Sequence, residues 1–533
     1  MVAGIQETPE PPLEAHGTSY AVATPHWQAT EVAVQVFREG GNAADAAIAA
    51  AAALAVTYPH MCSPGGDLIG LLAMPEGGVR AINGSGPAPR AIASAAEGWS
   101  RMPFDGPHTV TVPGAVAAWQ TMHELGASMP WETLMDPAVR LAADGVPVAG
   151  SLANAVVDNS SRIAADRGMR EVLMSGGAPL AEGAVLRQPA LARSLARIAD
   201  GGAAALYEGD VGEELVTCLR ELGSTIAIED LLAHRTEVCE PIGLRTGGCE
   251  ILTAPPNSQG LLLLQTLAAL EELGPSDYLG ADAGLLAGLF LLTAADRDRR
   301  LGDPRFKRVP VEELLSREHA AKIAATARDG REAAVEAGGF PGRSSSDTIA
   351  LVTADDRGHG AVVVQSVFGP FGAGILDPAS GIVCHNRGAF FSLDPGSPNF
   401  LEGGKRPTHT LMPVMMRQEG RVVGLQGTMG GPAQPQIDAQ VLLRMREGMD
   451  PARAVAAPRW IVAEPGDGGA GRHAYAEADV EPVATDALRA AGFAVHPLAP
   501  LSEAVGHAQV IRRSGVVLAA AADPRADGSA GAG

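Results

Sequence analysis

The sequence predicts a mixed α/β chain of the α+β kind, organised around more than one packed core. Three observations carry this. The 533 residues exceed the roughly 250–300 at which single cores stop growing. An alanine-rich helical run, Ala43 to Thr57, is followed by a strand-like apolar run, Leu68–Met74. Two further strand-length segments, Thr348 to Ala354 and Ala361 to Val367, flank the polar turn Asp355-Asp356-Arg357-Gly358 and read as a hairpin. Hydrophobic residues make up 46% and charged ones 19%, which is the balance of a foldable globular chain.

The elements follow in order. Thr24-Pro25 reads as an N-cap with proline at the first helical position, and the helix from Trp27 to Glu39 stops at Gly40-Gly41. Asn42 then caps the alanine-rich helix. Two helices joined that tightly, one of them nearly all alanine, imply close packing against a sheet. Gly65-Gly66-Asp67 precedes the Leu68–Met74 strand. From Thr109 to about Lys322, helical patterns alternate with loops, without an internal repeat. The stretch from Asp329 to Ser346 is rich in Gly, Ala and small polar residues and has linker composition.

A formal charge of −21 counts against nucleic-acid and anionic-membrane partners, because phosphate binding rests on clustered Lys and Arg. The five cysteines, Cys62, Cys218, Cys239, Cys249 and Cys384, contain no C-x-x-C pair, so buried thiols in a reducing compartment are expected rather than a disulfide framework or a zinc site. The first twenty residues carry acids and prolines but no basic stretch leading into an apolar one, and a cytoplasmic location is the expectation. The Ala43–Thr57 run holds Asp45 and is shorter than the ~20 residues a bilayer requires, so it reads as a buried helix.

Thr348 stands behind the linker and at the head of the hairpin. Were the bond before it cut, one residue would present a hydroxyl and an α-amine together. The amine's pKa of ~7.7–8.0 suits a base working near neutrality. That is the arrangement of a threonine nucleophile activated by its own N-terminus. Taken alone, a threonine opening a strand is usually punctuation.

Seven segments shift that balance, and they occur in one order: Ala23-Thr24-Pro25-His26, Gly40-Gly41-Asn42-Ala43-Ala44-Asp45-Ala46, Gly65-Gly66-Asp67, Val112-Pro113-Gly114, Asp303-Pro304, Gly404-Lys405-Arg406-Pro407 and Gly430-Gly431. From about Ala21 to about Ala521 the chain resembles the γ-glutamyltransferase family. The resemblance implies a four-layer αββα N-terminal-nucleophile (Ntn) hydrolase fold and self-cleavage between Asp347 and Thr348. A large subunit, 1–347 with its linker at 329–347, and a small subunit, 348–533, would result. It also implies Thr348 as nucleophile, Ser366 as the supporting hydroxyl on the neighbouring strand, and Gly430 and Gly431 as the oxyanion hole. Ser366 stands where the family usually has threonine, and Ile349 where a threonine usually follows the nucleophile.

The substrate pocket departs from the γ-glutamyl pattern. Ser85 stands where the family's carboxylate-binding arginine is expected, with Arg90 the nearest guanidinium. Phe390 stands where an aspartate holds the substrate's amino group. His409 and Thr410 replace a pair of serines. A glutamyl zwitterion would leave its charges unpaired, at a cost of about 3–5 kcal/mol for a broken buried pair. The segments around Asn386-Arg387-Gly388 and Gly404 to Leu411 look like the branch that contains oxamate amidohydrolase and glutathione hydrolase-like proenzymes. Arg387 offers a planar fork for a carboxylate or dicarbonyl, and His409 a group that donates or accepts near neutrality. A structural ion pair and a hydrogen-bonded core histidine are their alternatives.

The expected function is therefore a self-processing amidohydrolase, or acyltransferase, that takes a small acyl group from a small-molecule amide through an acyl-Thr348 intermediate. No metal or organic cofactor is implied, and an αβ heterodimer is the expected assembly, with further association left open. Two other readings stand beside it: a true γ-glutamyl hydrolase or transferase acting on glutathione, and a non-catalytic homologue serving as a scaffold.

Overall fold

Period-two alternation in the predicted hairpin sorts its side chains onto two faces, and this sets the layering. In a computed structural model, which describes residues 12–330, 347–463 and 472–533, the hairpin strands are Asp347–Asp355 and Gly360–Phe368. Ile349, Leu351, Ala361 and Val363 pack outward under helices. Ala350, Val352, Val362 and Val364 point inward, against a second sheet.

The hairpin is the centre of a seven-stranded antiparallel sheet ordered Ser529–Ala532, Tyr20–Thr24, Asp347–Asp355, Gly360–Phe368, Asp67–Ala73, Val79–Asn83, Glu237–Cys239. The facing seven-stranded sheet runs Glu14–Gly17, Val517–Ala522, Ala508–Ser514, Arg421–Thr428, Val414–Gln418, Cys249–Thr253, Ile242–Thr246. Its strands alternate in the same way: Met415 and Ile511 face the first sheet, while Val414, Met416 and Val510 face outward. Helices Trp27–Arg38, Ala43–Thr57, Ala115–Gly126 and Trp131–Asp144 cover the first sheet. Helices Gly260–Leu273, Ala283–Arg300, Gln434–Arg446 and Pro451–Ala456 cover the second. The layering is αββα, the four-layer order that the resemblance implied.

Every residue of Ala43–Thr57 is buried, because alanine lets the neighbouring helices and the sheet approach closely. Its cap is as predicted: the Asn42 side chain accepts from Ala44 N and Asp45 N, and Asp45 returns a bond to Asn42 N at 2.8 Å. The preceding helix departs from expectation. It starts at Trp27 with His26 as N-cap, the His26 Nδ1 accepting from Gln28 N at 3.3 Å. Thr24 cannot serve because it closes a strand, paired to Ser529, and its hydroxyl is engaged with His26 O at 2.8 Å and Thr30 Oγ1 at 2.9 Å. Pro25 therefore sits outside the helix.

Residues 331–346 of the expected linker lie outside the described residues, as does the side chain of Asp347. All five cysteines are free thiols; Cys62 and Cys384 are buried, whereas Cys218, Cys239 and Cys249 are only half-buried, short of the fully buried set expected. Among the described residues, no helix is long and apolar enough to cross a membrane.

Candidate active site

The hairpin carries a bulge at its open end, and Thr348 sits in it. Asp347 pairs with Phe368 and Ile349 with Gln365, so Thr348 alone opposes both Ser366 and Val367. The extra residue leaves the ladder: Val367 N donates to Met61 O at 2.9 Å and Val367 O accepts from Asn386 N at 3.1 Å. Phe368 follows with a φ of 78°, a conformation that costs a bulky residue free energy and is found where function demands it. Ser366 Oγ stitches the bulge together, accepting from Phe368 N at 2.8 Å and from the Thr348 hydroxyl at 3.0 Å. Thr348 is 1% exposed.

The strained Phe368 presents its ring to Arg387. The guanidinium carbon lies 4.0 Å from the Phe368 ring centroid and 4.2 Å from that of Phe390. The two rings meet edge to face at 76°, so Arg387 is wedged in the angle between them. Its Nη1 donates to Thr410 Oγ1 at 3.1 Å, while Nε and Nη2 are buried without a hydrogen-bond partner. Burial pushes Arg387 down to about 9, against the opposing pull of Asp67. The segment is firmly held, with Asn386 Oδ1 accepting from Gly369 N at 2.9 Å and Asn399 Nδ2 donating to Phe390 O at 2.7 Å.

Behind this pocket lies a buried carboxylate. Asp67 is the cross-strand partner of Ser366. Its Oδ1 accepts from Gly86 N at 3.1 Å, and its Oδ2 accepts from His409 Nε2 at 3.0 Å and faces His385 Nδ1 at 3.4 Å. Burial by itself would raise the Asp67 carboxyl, but His385 and His409 outweigh it and hold the group well below the usual carboxylate range. His409 Nδ1 accepts from Leu411 N at 3.3 Å, which fixes the Nε2–H tautomer. Burial pushes His409 down to about 4, so the ring is neutral. Both its nitrogens have protein partners. Ser85 is likewise occupied: its hydroxyl donates to Asn83 Oδ1 at 2.6 Å and accepts from Asn257 Nδ2 at 3.3 Å. Gly66, Gly86 and Gly114 are glycines for a steric reason. A Cβ on any of them would strike the backbone oxygen of Ser366, Val112 or Gly84 respectively.

The Gly430-Gly431 loop reaches this end of the hairpin from the facing sheet. Leu425 packs on Gly360, and Gly427 lies against Ala350 and Val362, so the Arg421–Thr428 strand advances along the hairpin toward Thr348 and Ser366. Gly430 and Gly431 come next, at φ 146° and 52°. Among the described residues, neither N–H donates to a side chain, turn or loop acceptor. The loop is tied to the pocket through Gln259, whose Nε2 donates to Gly431 O at 2.8 Å and to Thr410 O at 3.0 Å.

The structure thus gathers Thr348, Ser366, Arg387, Phe390, Thr410, Gly430 and Gly431 around one end of the sandwich. Ser85 and His409 stand behind them with their polar atoms engaged. Arg90 is exposed and turned to Asp230, its backbone N donating to the carboxylate at 3.2 Å, so it does not replace the missing family arginine. Asp67, His385, Phe368 and Gln259 were not singled out from the sequence. Only Asp67 had a signal there, in Gly65-Gly66-Asp67. Among the described residues, no group of three or more His, Cys, Asp or Glu is arranged to hold a metal ion.

Residues 29–533 match the family model described as Gamma-glutamyltranspeptidase. The chain belongs to the γ-glutamyltranspeptidase family. Within it, the chain is 34% identical over 531 residues to the oxamate amidohydrolase proenzyme of Klebsiella pneumoniae, covering 97% of this chain and 98% of that protein. It is also 34% identical to a glutathione hydrolase-like proenzyme of Bacillus subtilis, covering 96% and 98%. Among solved structures, cephalosporin acylase from Bacillus halodurans superposes with a TM-score of 0.89 at 29% identity, over 100% of this chain and 99% of that one. As a γ-glutamyltranspeptidase-family member it is an enzyme, a self-processing Ntn amidohydrolase or acyltransferase.

Proposed function

We propose that the chain severs its own Asp347–Thr348 bond and then hydrolyses the amide of a small acyl group through Thr348. In the first step Thr348 Oγ attacks the Asp347 carbonyl carbon, the C–N bond breaks to leave an ester, and water cleaves that ester. The products are a 1–347 subunit ending in a carboxylate and a 348–533 subunit beginning with a free α-amine, held together as an αβ heterodimer. The relatives' names as proenzymes support such processing.

In turnover the α-amine takes the Oγ proton as Oγ attacks the substrate carbonyl. Its expected pKa of ~7.7–8.0 fits that task. The N–H groups of Gly430 and Gly431 receive the oxyanion; such donors are worth about 10²–10³ in rate each. Collapse expels the amine, which leaves with the proton from the α-ammonium. Water, deprotonated by the same amine, then attacks the acyl ester, releases the acid and restores Thr348; an amine in place of water gives acyl transfer. Ser366 orients Oγ. Phe390 and Thr410 line the acyl site with Arg387, whereas Ser85 and His409 act from behind as positioning residues, a more modest part than direct substrate contact.

The observation that carries this reading is the Thr348 hydroxyl held 3.0 Å from Ser366 Oγ in the bulge of a buried hairpin. Intact-mass measurement of the purified protein tests it. Two fragments meeting at Asp347/Thr348 are expected for the native sequence. Thr348→Ala should give one inactive chain of 54.5 kDa, and Thr348→Ser should be cleaved and slow. A cut at any other bond sinks the assignment.

A further inference from the structure

Arg387 is 1% exposed, yet only one of its three guanidinium nitrogens has a hydrogen-bond partner. The two left over are Nε and Nη2. They share one edge of the planar group, the edge that presents two parallel N–H bonds and matches a carboxylate bidentately. Buried donors are nearly always satisfied, and an unsatisfied pair on a charged group is costly unless a ligand completes it.

The surroundings define what can complete it. Phe368 and Phe390 stand at a corner about the guanidinium, their centroids 4.0 and 4.2 Å from its central carbon and 6.0 Å from each other, so a partner must approach from the sides that the rings leave open. Phe368 is two residues from Ser366, and its N–H is bound by the Ser366 oxygen that also holds Thr348. The ring that packs on Arg387 and the nucleophile are therefore fixed to one short stretch of strand. Asp67, the carboxylate that acts on Arg387 from nearby, makes no hydrogen bond to it: Oδ1 accepts from Gly86 N and Oδ2 from His409. Its Oδ2 is shared by His409 and His385, which leaves Asp67 little capacity for a substrate ammonium group.

We propose, resting on Thr348 as nucleophile, that Arg387 binds a carboxylate borne by the acyl group, so that the substrates are half-amides of short dicarboxylic acids without an α-ammonium group. The Nε–Nη2 edge holds the carboxylate while the amide carbon at the other end of the acyl group meets Thr348 Oγ. Short half-amides fit because the ring packed on Arg387 and the nucleophile share one stretch of strand. A γ-glutamyl group is disfavoured because its ammonium would face Arg387 with little acid capacity to receive it.

The test is a substrate panel on the processed enzyme: half-amides of two- to five-carbon dicarboxylic acids, the matching neutral diamides, and a γ-glutamyl amide. The expected kcat/KM for the best half-amide exceeds that of its diamide by about 10²-fold or more, the scale of a broken buried charge pair, and also exceeds that of the γ-glutamyl amide. In Arg387→Met the half-amide advantage should fall to within a few-fold, with Arg387→Lys between the two. Equal turnover of half-amide and diamide, a preference for the γ-glutamyl amide, or an advantage that survives in Arg387→Met overturns the proposal. Should Arg387→Met fail to accumulate, the native panel decides. Should the native enzyme turn over none of the panel, calorimetric titration with the short dicarboxylates decides, and absence of binding overturns it. Intact mass separates this from the parent reading: a chain cut at Asp347/Thr348 that ignores the carboxylate condemns the Arg387 site alone.

Discussion

Thr348 and Ser366 share a hydrogen bond of 3.0 Å, and the same Ser366 oxygen accepts the Phe368 N–H at 2.8 Å. One hydroxyl thus orients Thr348, the proposed nucleophile, and closes the bulge that carries the Phe368 ring to Arg387. Both tasks need a hydroxyl on Cβ, which accounts for serine serving where threonine is usual.

Ser366→Ala should therefore do more than weaken one contact. It removes the Ser366 acceptor from the Phe368 N–H, a hydrogen bond worth about 0.5–1.5 kcal/mol, and frees the Thr348 rotamer. Slower self-cleavage and a kcat lower by at least about tenfold are expected, with Ser366→Thr restoring both. A time course of processing by mass, followed by steady-state kinetics, checks this. Native rates in Ser366→Ala would remove Ser366 from the mechanism.

Gly430 has a φ of 146°, and a Cβ there would run into Ile437 Cδ1. Gly430→Ala should displace the N–H groups of the loop and lower kcat by about 10²–10³, while KM changes little, because the lost interaction belongs to the transition state. Kinetics of the processed variant measure it. A large rise in KM with kcat intact would assign the loop to substrate binding instead.

Two buried sets of groups pull stability in opposite directions with pH. Burial pushes His409 and His507 down to about 4, and His26, His60 and His234 down to about 3. The unfolded chain protonates each near 6.5. Below that pH the unfolded state binds more protons, so their contribution is complete above about 6.5 and is lost as pH falls toward 4. Asp438 is the reverse case: burial pushes it up to about 7, against Gln426 and Thr428, which donate to it at 2.6 and 3.1 Å. Its contribution is present below the unfolded value near 3.9 and lost as pH rises through about 7. Thermal denaturation should show Asp438→Asn gaining Tm at about pH 8 and not at about pH 4.5. His234, whose nitrogens have no partner and whose ring stacks on Tyr207, should show the opposite as His234→Phe. Equal shifts at both pH values would contradict the linkage.

Local signals were legible where neighbours in sequence settle the structure. Asn42 and Asp45 cap their helix from three residues apart, and the hairpin's alternation gave its strands to within a residue or two at each end. Thr24 misled because its hydroxyl is spent on a strand end whose partner, Ser529, is remote in the chain. His409 looked equally suited to substrate or core, and the choice was made by Asp67, 342 residues away.

The sequence by itself carried the motifs whose resemblance named the family and implied the four layers, and its alternation placed Thr348 at the head of a hairpin, since periodicity, caps and glycine-bearing motifs are written residue by residue. Only the tertiary structure decided which polar groups remain to be satisfied. Arg387 and His409 are both buried, both polar and both plausible as ligands from the sequence. Folding satisfies the nitrogens of one and leaves an edge of the other bare, because hydrogen-bond saturation depends on what distant strands bring to each atom.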